Sequence, residues 1–177
     1  MKIHPYASFI LSTCLLLNLS CSNNSNGDNN GTKANLSEDF ITKNDLGEAF
    51  SVKEIRERNP SDQEFIVEGF IGGRKKPFTQ NSAVLILGDH SLETCDEIPG
   101  DSCPTPWDVC CEDRKKVASS IISVQVLESN GSLLVGTLDG VSGLEAGSKL
   151  KVKGRLDQKS QSGTFIINAK NIQILEN

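Results

Sequence analysis

An all-β domain with small α content is the fold class this sequence predicts, and three observations predict it. Apolar residues recur with a period of two in five separate segments. Only one stretch, around residues 50–58, shows helical spacing. The clearest strand sets Leu150, Val152, Gly154 and Leu156 on one side and Lys149, Lys151, Lys153 and Arg155 on the other, one face for core and one for water. The 177 residues suit one domain of ordinary size, and 37% apolar with 23% charged residues excludes collagen-like, coiled-coil and multi-pass membrane chains. An excess of 23 Asp+Glu over 18 Lys+Arg argues against a phosphate backbone as the main partner, because that partner demands a basic surface.

Residues 1–20 read as a secretory signal: Lys2 is the one charged residue, and Phe9, Leu11, Leu15, Leu16, Leu17 and Leu19 make an apolar stretch too short and interrupted to span a bilayer. Its end, Asn18-Leu19-Ser20-Cys21, resembles a bacterial lipoprotein signal, with Asn18 where Leu is usual. That resemblance implies that Cys21 is lipidated, becomes the new N-terminus and anchors the chain to a membrane of the cell envelope, on a leaflet the sequence leaves open. Plain secretion is the alternative. Residues 21–48 are expected to form a flexible tether, since Ser22 to Asn35 is nearly all Asn, Ser, Gly, Asp and Thr.

The folded domain is expected over 49–177. Phe50, Val52 and Ile55 fall at near-helical spacing, Ser51 and Glu54 have the form of a capping box, and Asn59-Pro60 stops the helix. The first strand is read at Phe65–Ile71 and the second at Val84–Leu87. Ile122, Val124 and Val126 make the third, with 133–138 beside it after the Asn130-Gly131 turn. Leu150–Leu156 is the fourth. The fifth runs from Phe165 to Ile174, where a change of parity between Ala169 and Ile172 predicts a bulge. This order, and above all the Gly-Ser entry into Lys-Leu-Lys-Val-Lys-Gly-Arg-Leu and the closing Gly-Thr-Phe-Ile-Ile-Asn strand, resembles the OB fold. The resemblance covers roughly Phe50 to Leu175 and implies a five-stranded Greek-key barrel. Its binding face would use strands two and three with the loops Gly72–Asn81 and Asp157–Gly163. Two departures stand out: a Gly-rich turn replaces the helix between strands three and four, and a Cys-rich insertion, residues 90–119, follows strand two.

With Cys14 cleaved away and Cys21 lipidated, four cysteines remain, Cys95, Cys103, Cys110 and Cys111, all in the insertion. An even set in an exported chain points to disulfides, with three pairings open. A bridge between the neighbours Cys110 and Cys111 is strained, so each is expected to reach outward, to Cys95 and Cys103. Thr105-Pro106-Trp107-Asp108 has the form of a helix start. The alternative is a metal or thiol redox site. Zn or Cu would be held by the four cysteines and His90, with Asp96, Glu97, Asp101, Asp108, Glu112 and Asp113 as further donors. Against it, the set lacks the close-spaced pairs of zinc sites and the Cys-x-x-Cys of thiol oxidoreductases. The segment Cys-Pro-Thr-Pro-Trp-Asp-Val-Cys-Cys is similar to a motif of exported bacterial OB-fold proteins, many with lipoprotein signals. That implies fold and location and supplies no activity.

Arg74, Lys75 and Lys76, in the loop after strand one, are the expected anion-binding residues if the cleft takes a sugar acid, phosphate or oligonucleotide, and a solvated hairpin tip otherwise. The stripe Lys149, Lys151, Lys153 and Arg155 reads chiefly as a solvated strand face. Trp107 is expected to form the insertion's own small core, with ligand stacking as the alternative. Strands two and three lack the aromatic platforms of single-strand nucleic-acid binders. Gly-x-Ser-x-Gly, His-Glu-x-x-His and phosphate-loop motifs are absent, so the reading leans away from an enzyme. The expectation is therefore a lipid-anchored envelope module that binds another envelope protein or an anionic small ligand.

Overall fold

A computed structural model describes Met1, residues 31–160 and residues 163–176. Residues 2–30, which hold nearly all of the expected signal with Cys14, the expected lipidation position Cys21 and the first part of the expected tether, lie outside the described residues.

The chain enters through β1 (Ile41–Thr42) and β2 (Phe50–Ser51), followed by α1 (Val52–Arg58). The capping box of α1 forms as the sequence predicts. Ser51 Oγ accepts from the Glu54 N–H, and the Glu54 carboxylate accepts from the Ser51 N–H. Asn59 closes the helix in the left-handed region at φ 44°. Val52 and Ile55 are the buried face.

Five long strands make the barrel: β3 (Glu64–Ile71), β4 (Val84–Gly88), β5 (Ile121–Gln125), β6 (Lys149–Leu156) and β7 (Ile166–Ile174). β3–β4 and β4–β5 pair antiparallel, β5 runs parallel to β7, β7 pairs antiparallel with β6, and β6 returns antiparallel to β3 to close the ring. This is the Greek-key strand order of an OB barrel with little helix. Closure removes the free edges that an open sheet would leave. In register, Val67 faces Val152 across β3–β6, and Leu85 faces Val124 across β4–β5. All four are fully buried, each stabilising the fold by roughly 1.5–3 kcal/mol through loss of apolar surface. The outward partners follow from the same register, Glu68 opposite Lys151 and Glu64 opposite Arg155. The bulge also appears where parity changes: Lys153 pairs Asn171 and Gly154 pairs Ala169, so Lys170 stands without a partner. Gly154 faces that bulge closely, and a Cβ there would lie 2.4 Å from the Asn168 carbonyl oxygen.

Residues 31–48 correct the tether expectation. Ala34 is buried in the barrel core, its N–H bonds the Thr137 carbonyl at 2.8 Å, and Thr137 returns an N–H to Thr32 at 2.8 Å. Leu36, Phe40 and Ile41 pack against the core, and β1 lies parallel to β7. The averaged polarity of 21–48 hid these few apolar side chains, and they are enough to fasten the segment to the wall.

The expected helix start at Thr105–Asp108 is also corrected. One turn forms, with the Asp108 N–H on the Thr105 carbonyl at 2.9 Å. The carbonyls of Pro106 and Asp108 then accept from the N–H groups of Asp96 and Cys95, at 3.3 and 2.8 Å, so a helix cannot use them. The insertion's helix is instead α2 (Arg114–Ser119), capped by Asp113, whose carboxylate accepts from the Lys115 and Lys116 N–H groups. No helix among the described residues is long and apolar enough to cross a membrane.

Candidate functional site

The insertion is seated on the barrel through the loop after β3. Gly73 donates its N–H to the Trp107 carbonyl at 3.0 Å, and the Trp107 indole donates to the Lys75 carbonyl at 3.3 Å. Gly72 and Gly73 permit this approach. A Cβ on Gly72 would lie 2.6 Å from the Trp107 carbonyl oxygen and 2.4 Å from the Phe70 ring, and Gly73 has φ +77°. Trp107 itself is half-buried. The insertion's small core is Phe70, Leu92, Val109 and Val117, packed with Ile121, so the expectation that Trp107 would form it is corrected. Phe70 of β3 and Ile121 of β5 supply the barrel side of the surface that Trp107 was expected to provide.

On this support the sulfurs of Cys95, Cys103 and Cys110 lie within 4.8 Å of one another, a group that can hold a metal ion. Cys95 opens a 3-10 turn, Cys95–Glu97, and is buried; Cys103 is half-buried and Cys110 is exposed. Cys95 Sγ stands 3.4 Å from Cys110 Sγ, and Cys110 Sγ stands 3.8 Å from Cys111 Sγ. All four thiols are free, and even the closest pair is well beyond the roughly 2.05 Å of a disulfide. Burial, followed by the hydrogen bond to Cys110, pushes the Cys95 thiol up to about 12. The Thr105 hydroxyl, 3.3 Å from Cys103 Sγ, and the Thr105 backbone lower the Cys103 pKa. For Cys110 the hydrogen bond from Cys95 lowers the pKa, but the hydrogen bond with Cys111, burial and the neighbouring sulfurs outweigh it and the net shift is upward.

The other donors named from the sequence do not join this group. His90 lies outside it, with Nε2 3.6 Å from Glu68 and its ring 6.2 Å from that of Phe70. The acids are engaged locally: Asp96 and Glu97 with Thr94, Asp101 with the Cys103 N–H, Asp108 with the Val109 N–H. Glu112 accepts from the Glu93 N–H and pairs with Lys116, and Asp113 caps α2.

The basic triplet is divided by the fold. Lys75 and Lys76 border a groove of about 440 Å³ that also holds Asp139 and Glu145, an unfavourable setting for an anion. Arg74 turns to a separate cavity of about 230 Å³, between β4, β5 and the loop that precedes β7, where it meets Arg56 from α1. Ile86, Ser123, Thr164 and Phe165 are among its other lining residues, and none of the described residues that line it is a carboxylate. Arg56 is half-buried, donates to the Ile121 carbonyl at 3.0 Å and lies 5.5 Å from the Phe165 ring centre, so one end of the guanidinium is fixed in place. Burial lowers its pKa from the ordinary value, and an arginine remains charged at neutral pH. Arg74 also borders a groove with Asp108, Glu112 and Arg114. Among the described residues, neither Arg56 nor Arg74 lies within salt-bridge distance of a carboxylate. By contrast Lys151 pairs with Asp45, and Lys153, Arg155 and Lys170 all pair with Glu64. Three of the four stripe cations thus have a carboxylate partner, two of them sharing Glu64 with Lys170. Sequence reasoning missed Arg56; its signal was its place directly after the core residue Ile55, which turns it toward the rim of the barrel.

No family model and no curated protein matches the chain. Among solved structures it is similar to a "putative aspartyl-tRNA synthetase" from Leishmania major Friedlin, at 10% identity and a TM-score of 0.36. The match covers 81% of this chain and spans 23% of that one, a likeness too slight to bear on function.

Proposed function

We propose that this chain is an exported, lipid-anchored binding or assembly module of the bacterial cell envelope, non-catalytic, whose barrel cleft takes a small ligand carrying a carboxylate or phosphate. The observation that carries the ligand class is the convergence of Arg56 and Arg74 on one carboxylate-free cavity at the binding face of an OB barrel. A guanidinium held from behind by the Ile121 carbonyl presents its remaining N–H groups in a planar fork that suits an oxyanion. The absence of aromatic side chains from Val84–Gly88 and Ile121–Gln125 weighs against nucleic acid. The anchor rests on Asn18-Leu19-Ser20-Cys21 and the polar run behind it.

Two experiments test this reading. Labelled palmitate should enter the wild-type chain and not Cys21→Ser; equal labelling of both overturns the anchor. In amide NMR, inorganic phosphate and glucuronate should shift Ser123 and Thr164, and Arg74→Ala should weaken that response about tenfold through loss of a charge-assisted hydrogen bond. Shifts confined to the Lys75–Lys76 groove, or none in the millimolar range, overturn the cleft.

The approach of three sulfurs favours a second reading, thiol-centred metal handling or redox work at the insertion. The two sites use different residues, although Arg74 borders both the arginine cavity and the groove at Cys110.

A further inference from the structure

We infer that Cys95, Cys103 and Cys110 form a three-thiolate site for one thiophilic cation, Zn²⁺ or Cu⁺, with Cys111 outside the set, and that the bound ion fastens the insertion to itself. The inference rests on the thiol-centred reading and gives it a ligand; it is independent of the arginine cleft.

A disulfide joins two sulfurs, whereas here three from separate segments, a 3-10 turn, a loop and a second turn, lie mutually within 4.8 Å. Thiolates bound at about 2.3 Å to a single tetrahedral centre stand roughly 3.8 Å apart, so the group closes on an ion with small side-chain movements. The backbone is already braced for this, because the Cys95 N–H holds the Asp108 carbonyl two residues before Cys110. The segment that carries the sulfurs is acidic, with seven carboxylates and neither Lys nor Arg from Ser91 to Asp113, and Asp108 and Glu112 share the groove at Cys110 with Arg74 and Arg114. Soft sulfur ligands select Zn²⁺ and Cu⁺ over Mg²⁺ or Ca²⁺. On binding, each thiol passes its proton to solvent, and no change of oxidation state is involved. Cys111 is adjacent to Cys110 but is not within reach of all three partners, which leaves the fourth position of a tetrahedral ion to solvent or to a guest ligand.

The test uses the full chain purified from the envelope without reductant or chelator. Metal content and native mass should give one Zn or Cu per chain, released on denaturation with exposure of alkylatable thiols. After reduction and removal of metal, Co²⁺ should restore one equivalent with a thiolate charge-transfer band. Cys103→Ser and Cys110→Ser should each weaken Zn²⁺ binding by about 100-fold or more, while Cys111→Ser stays within about fivefold. Cys95→Ser removes a buried sulfur, so circular dichroism checks its fold; if it unfolds, the two more exposed positions decide. A metal-free chain with mass four protons below the fully reduced form overturns the inference in favour of two disulfides. A metal-free chain that takes up neither Zn²⁺ nor Cu⁺ after reduction overturns it too, and so does a Cys111→Ser variant as impaired as the other three.

Discussion

Among the described residues the barrel's apolar core cluster holds nineteen buried residues, from Ala34 to Ile172, while the insertion's cluster holds four, and one of those, Phe70, is borrowed from β3. The barrel therefore draws its stability from area removed from water and from closed strand pairing. The insertion is too thin for that and depends on local devices: the Asp113 cap, the Gly72–Gly73 seat for Trp107, and sulfurs gathered at its centre. A small unit without a sufficient apolar core commonly needs a covalent or metal staple.

Three substitutions sharpen that contrast, from the largest effect to the smallest. Leu85→Ala opens a cavity in the fully buried core between β4 and β5. It should cost about 3 kcal/mol in urea unfolding, with barrel and insertion probes moving together. A change that only the insertion registers would mean that the barrel is not the common support. Gly72→Ala puts a methyl group against the Trp107 carbonyl and the Phe70 ring. The expected cost is about 2 kcal/mol, with a shift in Trp107 fluorescence before any loss of barrel signal. An unchanged emission maximum would show that Trp107 is not seated there. Glu64→Gln removes the acid shared by Lys153, Arg155 and Lys170 at the surface. The unfolding midpoint should barely move, and any difference should vanish in high salt; a large, salt-resistant loss contradicts this.

Asp89 links the two regions and gives the pH dependence. It is buried at the end of β4 and accepts from the Lys53 N–H in the first turn of α1 and from the Ser91 N–H at the start of the insertion. Burial pushes its carboxyl up, but those N–H groups and nearby His90 more than offset this and hold it below the ordinary carboxylate range. Its folded pKa is thus below its unfolded value of about 3.9, so its contribution is complete above roughly pH 4 and is lost as pH falls through the lower folded value. Asp89→Asn should flatten the acid limb of stability against pH. An acid limb identical to wild type would remove Asp89 from the account.

The barrel was legible because its physics is periodic. Leu150, Val152 and Gly154 announce an inward face by position alone, and the parity change before Ile172 located the bulge at Lys170. The capping box at Ser51 and Glu54 was equally local and equally readable. What escaped was set by long-range contacts. Ala34, Leu36 and Phe40 are too sparse for a period, yet they find the barrel wall. Thr105-Pro106-Trp107-Asp108 has good helix-start chemistry, but its carbonyls are taken by Cys95 and Asp96. The cysteines were legible as a set; the absence of His90 and Cys111 from the mutually close sulfur group was not, because spacing carries no direction. Nor could sequence separate Arg74 from Lys75 and Lys76, which line different cavities.

The most direct test of a self-sufficient barrel carrying a sulfur-held insertion is native-state amide exchange on the full chain, comparing wild type with the Cys103→Ser/Cys110→Ser double variant. The account predicts that protection falls across residues 90–119 and persists in β3 to β7. Loss of protection through the barrel strands, or an insertion as protected as before, would contradict it.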